Sequence, residues 1–471
     1  MALYVPMLMR VFACSMGESG HTHVMRNRFV AACVIVLMAI ASCRDSQERS
    51  TDRSGSLCEA CNVVLISMDT LRADHVGAYG YPRPVTPAID RLAGDGVLFE
   101  DAIGQSAWTR PSHFSMFTGL YPIEHGVVGM AGRSRLAEGT PTLASSLRAA
   151  GWRTGGFTAG ANVAAHFGFD EGFEVYETHG KRMLDNLDAA TEWIRSVKDE
   201  RFFLFFHGLD AHRPYHSDAV DRRALGLTES ERPAWRHLCN GQARAEPDPA
   251  PLIDAYDAAA HRGDRAVGIL LETLEAAGLG DRTVVIVTSD HGEGLLDHGD
   301  CFHIRELHRE IVRVPLIIRA PGVPVRRVTG VVPASVAIAP TILDLVGASR
   351  SGIGGPSLAG ILGGERPTYG YVVSETASRY RPGSRSGHVR AITTDREKLV
   401  HWLDAGVTEY HNLERDPEEH APASDARRSA FLAGILAEFV SDHRPLGRDG
   451  AKQEPLPRKL QRELRRLGYV D

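Results

Sequence analysis

The chain lacks any strong excess of charge: 53 Lys and Arg stand against 59 Asp and Glu, a formal net charge of −6 over 471 residues. That balance gives no electrostatic basis for binding nucleic acid or an anionic membrane surface, both of which need clustered positive charge. Internal repeats and long low-complexity segments are also missing, so nothing points to a solenoid or a fibrous protein. Cysteine is scarce, seven in all. Cys58-x-x-Cys61 has the spacing of half a zinc knuckle, but no second close pair of Cys or His completes one. One or two disulfides among Cys58, Cys61, Cys239 and Cys301 are expected instead, with the pairing not readable from spacing.

What is present is an ordinary globular composition, 43% hydrophobic and 24% charged, long enough for one large domain and a smaller one. A short basic head, Met25-Arg26-Asn27-Arg28, precedes an apolar run over 29–41 that has the length of a signal-peptide core and is too short to span a bilayer comfortably. It ends in Ile40-Ala41-Ser42-Cys43, which resembles a bacterial lipobox. The expectation is an exported cell-envelope lipoprotein anchored to the membrane through a lipidated Cys43, with ordinary secretion or an uncleaved anchor as alternatives. Residues 1–24 fit none of these plans, and Met25 is an alternative start. The expected division is leader 1–43, tether 44–60, main domain 61–365 with an insertion or partial lid at 217–251, and a smaller domain 366–471.

Three apolar runs share one grammar. Val63-Val64-Leu65-Ile66-Ser67 leads to Asp69, Phe202-Phe203-Leu204-Phe205-Phe206 to His207 and Asp210, and Thr283-Val284-Val285-Ile286-Val287 to Asp290-His291. Continuous apolar strands predict a sheet covered on both faces, hence α/β, doubly wound and mostly parallel. In such sheets the site lies beyond the carboxyl ends of the strands, so Asp, His and Asp-His are expected on one rim. Helical patterns alternate with them at 85–93, 142–150, 184–197 and 256–277. Short strands at 371–374, 388–393 and 398–403, then a helix at 428–440, predict a small antiparallel sheet with a helix.

Asp69 at a strand end suits a hard divalent cation, although Asp is equally favoured as a helix cap. Asp290-His291-Gly292-Glu293 offers oxygen and nitrogen ligands side by side, although such triplets also occur in plain turns. Together with Trp108-Thr109-Arg110-Pro111-Ser112-His113, closed by Thr118-Gly119, and with His207-Gly208-Leu209-Asp210-Ala211-His212-Arg213-Pro214, these segments follow a familiar order. The chain resembles the sulfatase family of the alkaline-phosphatase superfamily over roughly residues 62–471, and further matches are Arg313-Val314-Pro315-Leu316-Ile317-Ile318, Ala339-Pro340-Thr341-Ile342-Leu343-Asp344 and Leu467-Gly468-Tyr469-Val470.

The resemblance implies one divalent metal held by Asp69, Thr109, Asp290 and His291. It also implies that His303, with His207, His212 and His113, contacts the transferring group or the leaving oxygen. Where sulfatases carry a Cys or Ser that becomes formylglycine, this chain has Thr109, which cannot undergo that conversion. Thr70 stands in place of a second Asp and His113 in place of Arg. The Gly-Lys-Trp-His segment is absent, with Gly151-Trp152-Arg153-Thr154-Gly155-Gly156 in its place. These departures favour zinc or manganese, with calcium also open, because imidazole suits the former better.

The expected function is a metal-dependent ester hydrolase with Thr109 as nucleophile. The substrate would be a small-molecule, glycan or lipid ester of phosphate, phosphonate or sulfate. Sulfate-ester hydrolysis proper and phosphotransfer are the alternatives, and a lipid-tethered binding protein without turnover is the alternative of another class. Blander roles are expected elsewhere: wall or core for Trp108 and Tyr81, surface loop for Thr158 and Asn162, and solvated surface for Lys398, Arg385 and the basic stretch 458–466. Asp297 and His298 are expected near the site in supporting roles.

Overall fold

Eight strands form the central sheet: Asn62–Met68 (β1), Val97–Ile103 (β2), Arg153–Phe157 (β3), Val175–Glu177 (β4), Phe202–Gly208 (β5), Thr283–Thr288 (β6), Leu316–Arg319 (β7) and Arg326–Pro333 (β8). Their order is β4-β3-β5-β1-β6-β7-β2-β8. All pairings are parallel except those of β7, which runs antiparallel to both β6 and β2. The structure, a computed structural model, describes residues 57–59, 61–129, 135–227, 248–379, 386–445 and 456–467. The leader with Cys43, nearly all of the tether, Cys239, most of the 217–251 insertion, Arg385 and the last four residues lie outside the described residues.

The apolar runs become central strands because successive side chains point to opposite faces and both faces are covered. Val63, Leu65, Phe203, Phe205, Val284 and Ile286 join one core, and Val64, Ile66, Phe202, Leu204, Phe206, Val285 and Val287 join the other. Along the chain the main helices are Pro87–Gly94 (α1), Thr109–Thr118 (α2), Leu143–Ala149 (α3), Met183–Val197 (α4), Ala250–Ala276 (α5), Arg309–Val312 (α6), Ser335–Val346 (α7), Ala426–Asp442 (α8) and Arg458–Arg466 (α9). Residues of α2, α3, α7 and α9 belong to the first core, and those of α1, α4 and α5 to the second. α5 starts six residues before its expected beginning at Tyr256 because Pro251 falls in the first turn, where a missing N–H costs nothing.

Of the stretch 151–156, which takes the place of the Gly-Lys-Trp-His segment, residues 153–156 belong to β3. Its Gly155 and Gly156 are required by packing, since a Cβ at Gly155 would lie 2.7 Å from the Trp193 ring and one at Gly156 2.5 Å from that of Tyr176.

Four strands near the carboxyl end, Val372–Ala377 (β9), His388–Thr393 (β10), Glu397–Trp402 (β11) and Val407–Asn412 (β12), form an antiparallel sheet in the order β12-β11-β10-β9. One face packs Val389, Ala391, Val400 and Trp402 on Ile103, Leu307, Ile311, Val312 and Val331 of the main sheet's layer. The other packs Val373, Ile392, Leu399 and Tyr410 under Leu432, Leu436 and Phe439 of α8. Residues from Ser56 onward form one compact unit. In α9 the basic residues are exposed while Leu460 and Leu464 are buried in the first core. Cys58 and Cys61 are joined by a disulfide, and Cys301 is also disulfide-bonded. Among the described residues no helix is long and apolar enough to cross a membrane.

Candidate active site

β1 lies between β5 and β6, with Ser67 in register with both His207 and Thr288. Three neighbouring strands therefore end together, and Asp69, His207 and Asp290 follow or sit at those ends. Asp69 is not a helix cap: its N–H continues the β5 pairing by donating to the Gly208 carbonyl, and the next helical turn begins only after Arg72. The chain turns away through Thr70, whose φ of 60° is left-handed and strained for a β-branched residue. Three bonds hold that turn. The Thr70 N–H donates to Asp290 Oδ1 at 3.2 Å, and Tyr256 Oη of α5 donates to the Thr70 carbonyl and accepts from the Arg72 N–H, both at 2.8 Å.

Thr109 is the first residue of α2 and is buried. Its hydroxyl lies 3.4 Å from Asp69 Oδ2 and 3.4 Å from His291 Nε2. The His291 Nδ1–H donates to the Gly292 carbonyl at 2.9 Å, which leaves Nε2 as a lone pair pointing at the group. Asp290 Oδ1 takes the amides of Thr70 and His291, whereas Asp290 Oδ2 and Asp69 Oδ1 have no hydrogen-bond partner. Asp290 Oδ2 also stands 3.2 Å from His291 Nε2. One ligand atom each from Asp69, Asp290 and His291 lies within 4.8 Å of the others. Buried acceptors facing one another without donors are a costly arrangement that a divalent cation satisfies, so the residues fit the metal the resemblance implies. The charge state agrees: burial, then the charge of Asp290, pushes the Asp69 carboxyl well above its ordinary range.

His113 and His207 sit directly against this group. The His113 Nδ1–H donates to the Thr109 carbonyl at 2.9 Å, and its Nε2 accepts from the Ser67 hydroxyl at 3.0 Å. Both ring nitrogens are thus engaged in bracing the start of α2. His207 Nδ1 accepts from the Ala159 N–H at 3.4 Å, placing its Nε2 3.6 Å from Asp69 Oδ2. Burial pushes both rings down to about 4, so both are neutral near pH 7.

His207 yields a sign-defined prediction. Its folded value is depressed below the ordinary value of about 6.5, so its stabilising contribution is complete above about 6.5 and drains as pH falls toward the folded value. A His207→Gln variant has no such titration. Comparing the metal-stripped variant with metal-stripped wild type in urea, its stability deficit is expected to shrink by roughly 2 kcal/mol between about pH 7.5 and about pH 5. A deficit that stays constant or widens would mean the ring is not buried neutral.

His303 and His212 form an adjoining layer. The His303 Nδ1–H donates to Glu293 Oε1 at 2.7 Å, and its ring centre lies 4.4 Å from that of His291 and 5.2 Å from that of His212. The His212 Nδ1–H donates to the Arg213 carbonyl. His212, Glu293 and His303 are close enough to hold an ion, but here the carboxylate already has a hydrogen-bond donor. That bond fixes the His303 ring and leaves its Nε2 as the lone-pair nitrogen.

All eight residues expected from the sequence therefore meet in one place. Several blander expectations need correction. Thr158 and Asn162 are buried rather than on a surface loop, and Asn162 Oδ1 accepts from Arg110 Nη2 at 3.0 Å. Lys398 is not solvated surface but fully buried, its ammonium 2.8 and 2.9 Å from the two Glu419 oxygens. Asp297 pairs with Arg72 at 2.7 Å and braces the loop after β6, while His298 bonds Glu310 and the Glu419 carbonyl. Three supporting residues escaped the sequence: Tyr256, Ser67 and, as partner of His303, Glu293. The acidic neighbour two positions after His291 was the only signal for any of them.

The sulfatase family pattern matches residues 61–348. The chain is 25% identical to the Delta 4,5-hexuronate-2-O-sulfatase of Bacteroides thetaiotaomicron over 440 residues, covering 81% of this chain and 89% of that one. Its fold is that of a 2-O GAG sulfatase (TM-score 0.68, 22% identity, 82% of this chain and 93% of the other). It is equally that of the phosphonate monoester hydrolase of Agrobacterium radiobacter (TM-score 0.66, 22% identity, 81% and 95%). With the matched segment spanning more than half of its length, the chain belongs to the sulfatase family and is a hydrolase of ester bonds.

Proposed function

We propose that the protein cleaves phosphate or phosphonate esters with Thr109 as the nucleophile. The observation that supports this most directly is the buried Thr109 hydroxyl, 3.4 Å from both Asp69 Oδ2 and His291 Nε2. Asp69, Asp290, His291 and Thr109 would hold a divalent ion, zinc or manganese given the imidazole in the set. When bound, such an ion supplies positive charge that eases ionisation of a neighbouring hydroxyl and offsets charge on the transferring group. Thr109 Oγ1 attacks the central atom in line, held in place by α2 and by the His113 bond to its carbonyl. His303, oriented by Glu293 and kept neutral by burial, takes the Thr109 hydroxyl proton and passes it to the leaving oxygen; in the second step it takes a proton from the attacking water and returns it to Thr109 Oγ1. His212 lines the same side.

The second step favours phosphorus over sulfur. A formylglycine adduct can collapse to an aldehyde by breaking carbon–oxygen; a threonine adduct has no such route, so water must attack the central atom. The sulfatase match and the hexuronate sulfatase relative favour sulfate-ester hydrolysis as the second reading. On either reading the substrate is an anionic ester of a small molecule, glycan or lipid, and Cys43 remains the proposed lipid anchor of an exported protein. The proposed division stays at 61–365 and 366–471. The test is a rate comparison on one aryl alcohol esterified as phosphate monoester, phosphodiester, phosphonate and sulfate, with metal content measured on the same sample. Phosphoryl or phosphonyl turnover is expected to exceed sulfate turnover by at least about tenfold, a 1.4 kcal/mol difference in barrier. Sulfate turnover above the other three would reverse the assignment. One tightly held metal with no turnover of any would leave a binding protein.

A further inference from the structure

A second histidine cluster, sharing no residue with the group around Thr109, lies where the antiparallel sheet meets the main layer. Glu409 and His411 are two apart on β12 and so share one face of the strand, while Tyr410 between them turns to the α8 side. In register they stand opposite Val400 and Lys398 of β11. Val400 belongs to the face that packs on the main layer. From that layer comes His308, immediately before α6. One ligand atom from each of His308, Glu409 and His411 lies within 4.8 Å of the others, and all three residues are buried.

The second observation is His411 itself. It is 1% exposed, and neither of its ring nitrogens has a hydrogen-bond partner. Its Nε2 stands 3.9 Å from Glu409 Oε2, beyond hydrogen-bond reach; an imidazole buried without hydrogen bonds costs about 1–3 kcal/mol per unsatisfied group, and native proteins rarely retain such groups without a compensating ligand. His308 is prepared differently: its Nδ1–H donates to Glu306 Oε2 at 3.0 Å, which leaves Nε2 as the lone-pair nitrogen. A carboxylate behind the far nitrogen is the arrangement that orients metal-ligating histidines. The nearby cation does not oppose an ion here, because Lys398 is neutralised by Glu419 at 2.8 Å.

We propose that His308, Glu409 and His411 form a second metal site, for a zinc-class divalent ion, that pins the antiparallel sheet to the main layer. Two imidazoles and one carboxylate are a zinc-type donor set, with the fourth corner of the tetrahedron left for solvent. The ion would hold β12 against the start of α6. The carbonyl of Ile311 in α6 accepts the Gly292 amide at 2.7 Å, so this segment also supports the catalytic loop.

The test uses the full chain carrying Asp69→Asn and Asp290→Asn, which disables the proposed catalytic set. Cobalt(II) titration of this variant is expected to show one bound equivalent with the visible absorption of a low-coordinate nitrogen–oxygen site, displaced by zinc. Adding His411→Gln, or separately Glu409→Gln, is expected to weaken cobalt binding at least about 100-fold. The glutamate variant carries the assignment if the histidine variant does not fold. No cobalt bound by the parent variant would overturn the proposal. So would binding that neither substitution weakens, which would place the ion elsewhere, for instance at His212, Glu293 and His303.

Discussion

Thr109→Ala is expected to lower kcat on the best ester by on the order of 10³-fold or more, with KM changed far less. The reasoning is geometric. Thr109 is buried at the first position of α2, and its hydroxyl approaches Asp69 and His291 at 3.4 Å. Removing the hydroxyl deletes the atom that attacks while leaving the carboxylates and the helix start in place. Circular dichroism is therefore expected to match wild type, while the metal, left with Asp69, Asp290 and His291, is expected to be held more weakly but still bound at saturating concentration. Thr109→Ser keeps the hydroxyl and is expected to retain measurable turnover through the same covalent step. Trapping that adduct by rapid acid quench and peptide mass analysis gives a direct check. Full activity in the alanine variant would remove Thr109 from the mechanism.

Asp290→Asn is expected to have a comparable effect on turnover for a different reason, and an opposite effect on stability. The asparagine carbonyl can still accept the Thr70 and His291 amides, now made to Asp290 Oδ1. Its amide nitrogen would take the place of Oδ2, beside the lone pair of His291 Nε2 at 3.2 Å. A donor there does locally what a cation would do. Metal affinity is expected to fall at least about 100-fold and activity with it, because one anionic ligand is lost. In metal-free samples, however, the variant is expected to be more stable than wild type by roughly 1–2 kcal/mol, since it removes a buried charge facing Asp69. Chemical denaturation with and without chelator measures both halves. A metal-free variant less stable than metal-free wild type would show that the wild-type carboxylates are not in conflict.

Much of this was legible in the sequence, for a physical reason. The central strands are continuous apolar runs because both their faces are covered, and the residues just beyond them carry the chemistry because β1, β5 and β6 end together. What escaped notice was set by contacts distant in sequence. β3 hides behind Gly155 and Gly156, whose small size answers to the rings of Trp193 and Tyr176. β2 carries Glu100 and Asp101 near the sheet's margin, which breaks the apolar pattern. Lys398 reads as surface until Glu419 is folded against it. Tyr256 is one more aromatic on a helix until its hydroxyl is seen to hold the turn at Thr70.

The position of β1 has a consequence for how the molecule comes into being. It is the first strand among the described residues and stands in the middle of the sheet, yet Asn62 meets Phe202 across 140 residues and Thr283 across 221. Neither edge of β1 can be closed by local pairing, and loop closure over such distances must precede any gain from the contacts. As synthesis proceeds, β1 waits with both ladders open until β5 and then β6 arrive, and a nascent chain stopped before β6 presents an apolar strand with an unpaired edge. The strand that places Asp69 is thus also a segment exposed to aggregation during biogenesis, and the centre of the sheet closes only once β6 arrives, before β7 and β8 complete the ladders of β2.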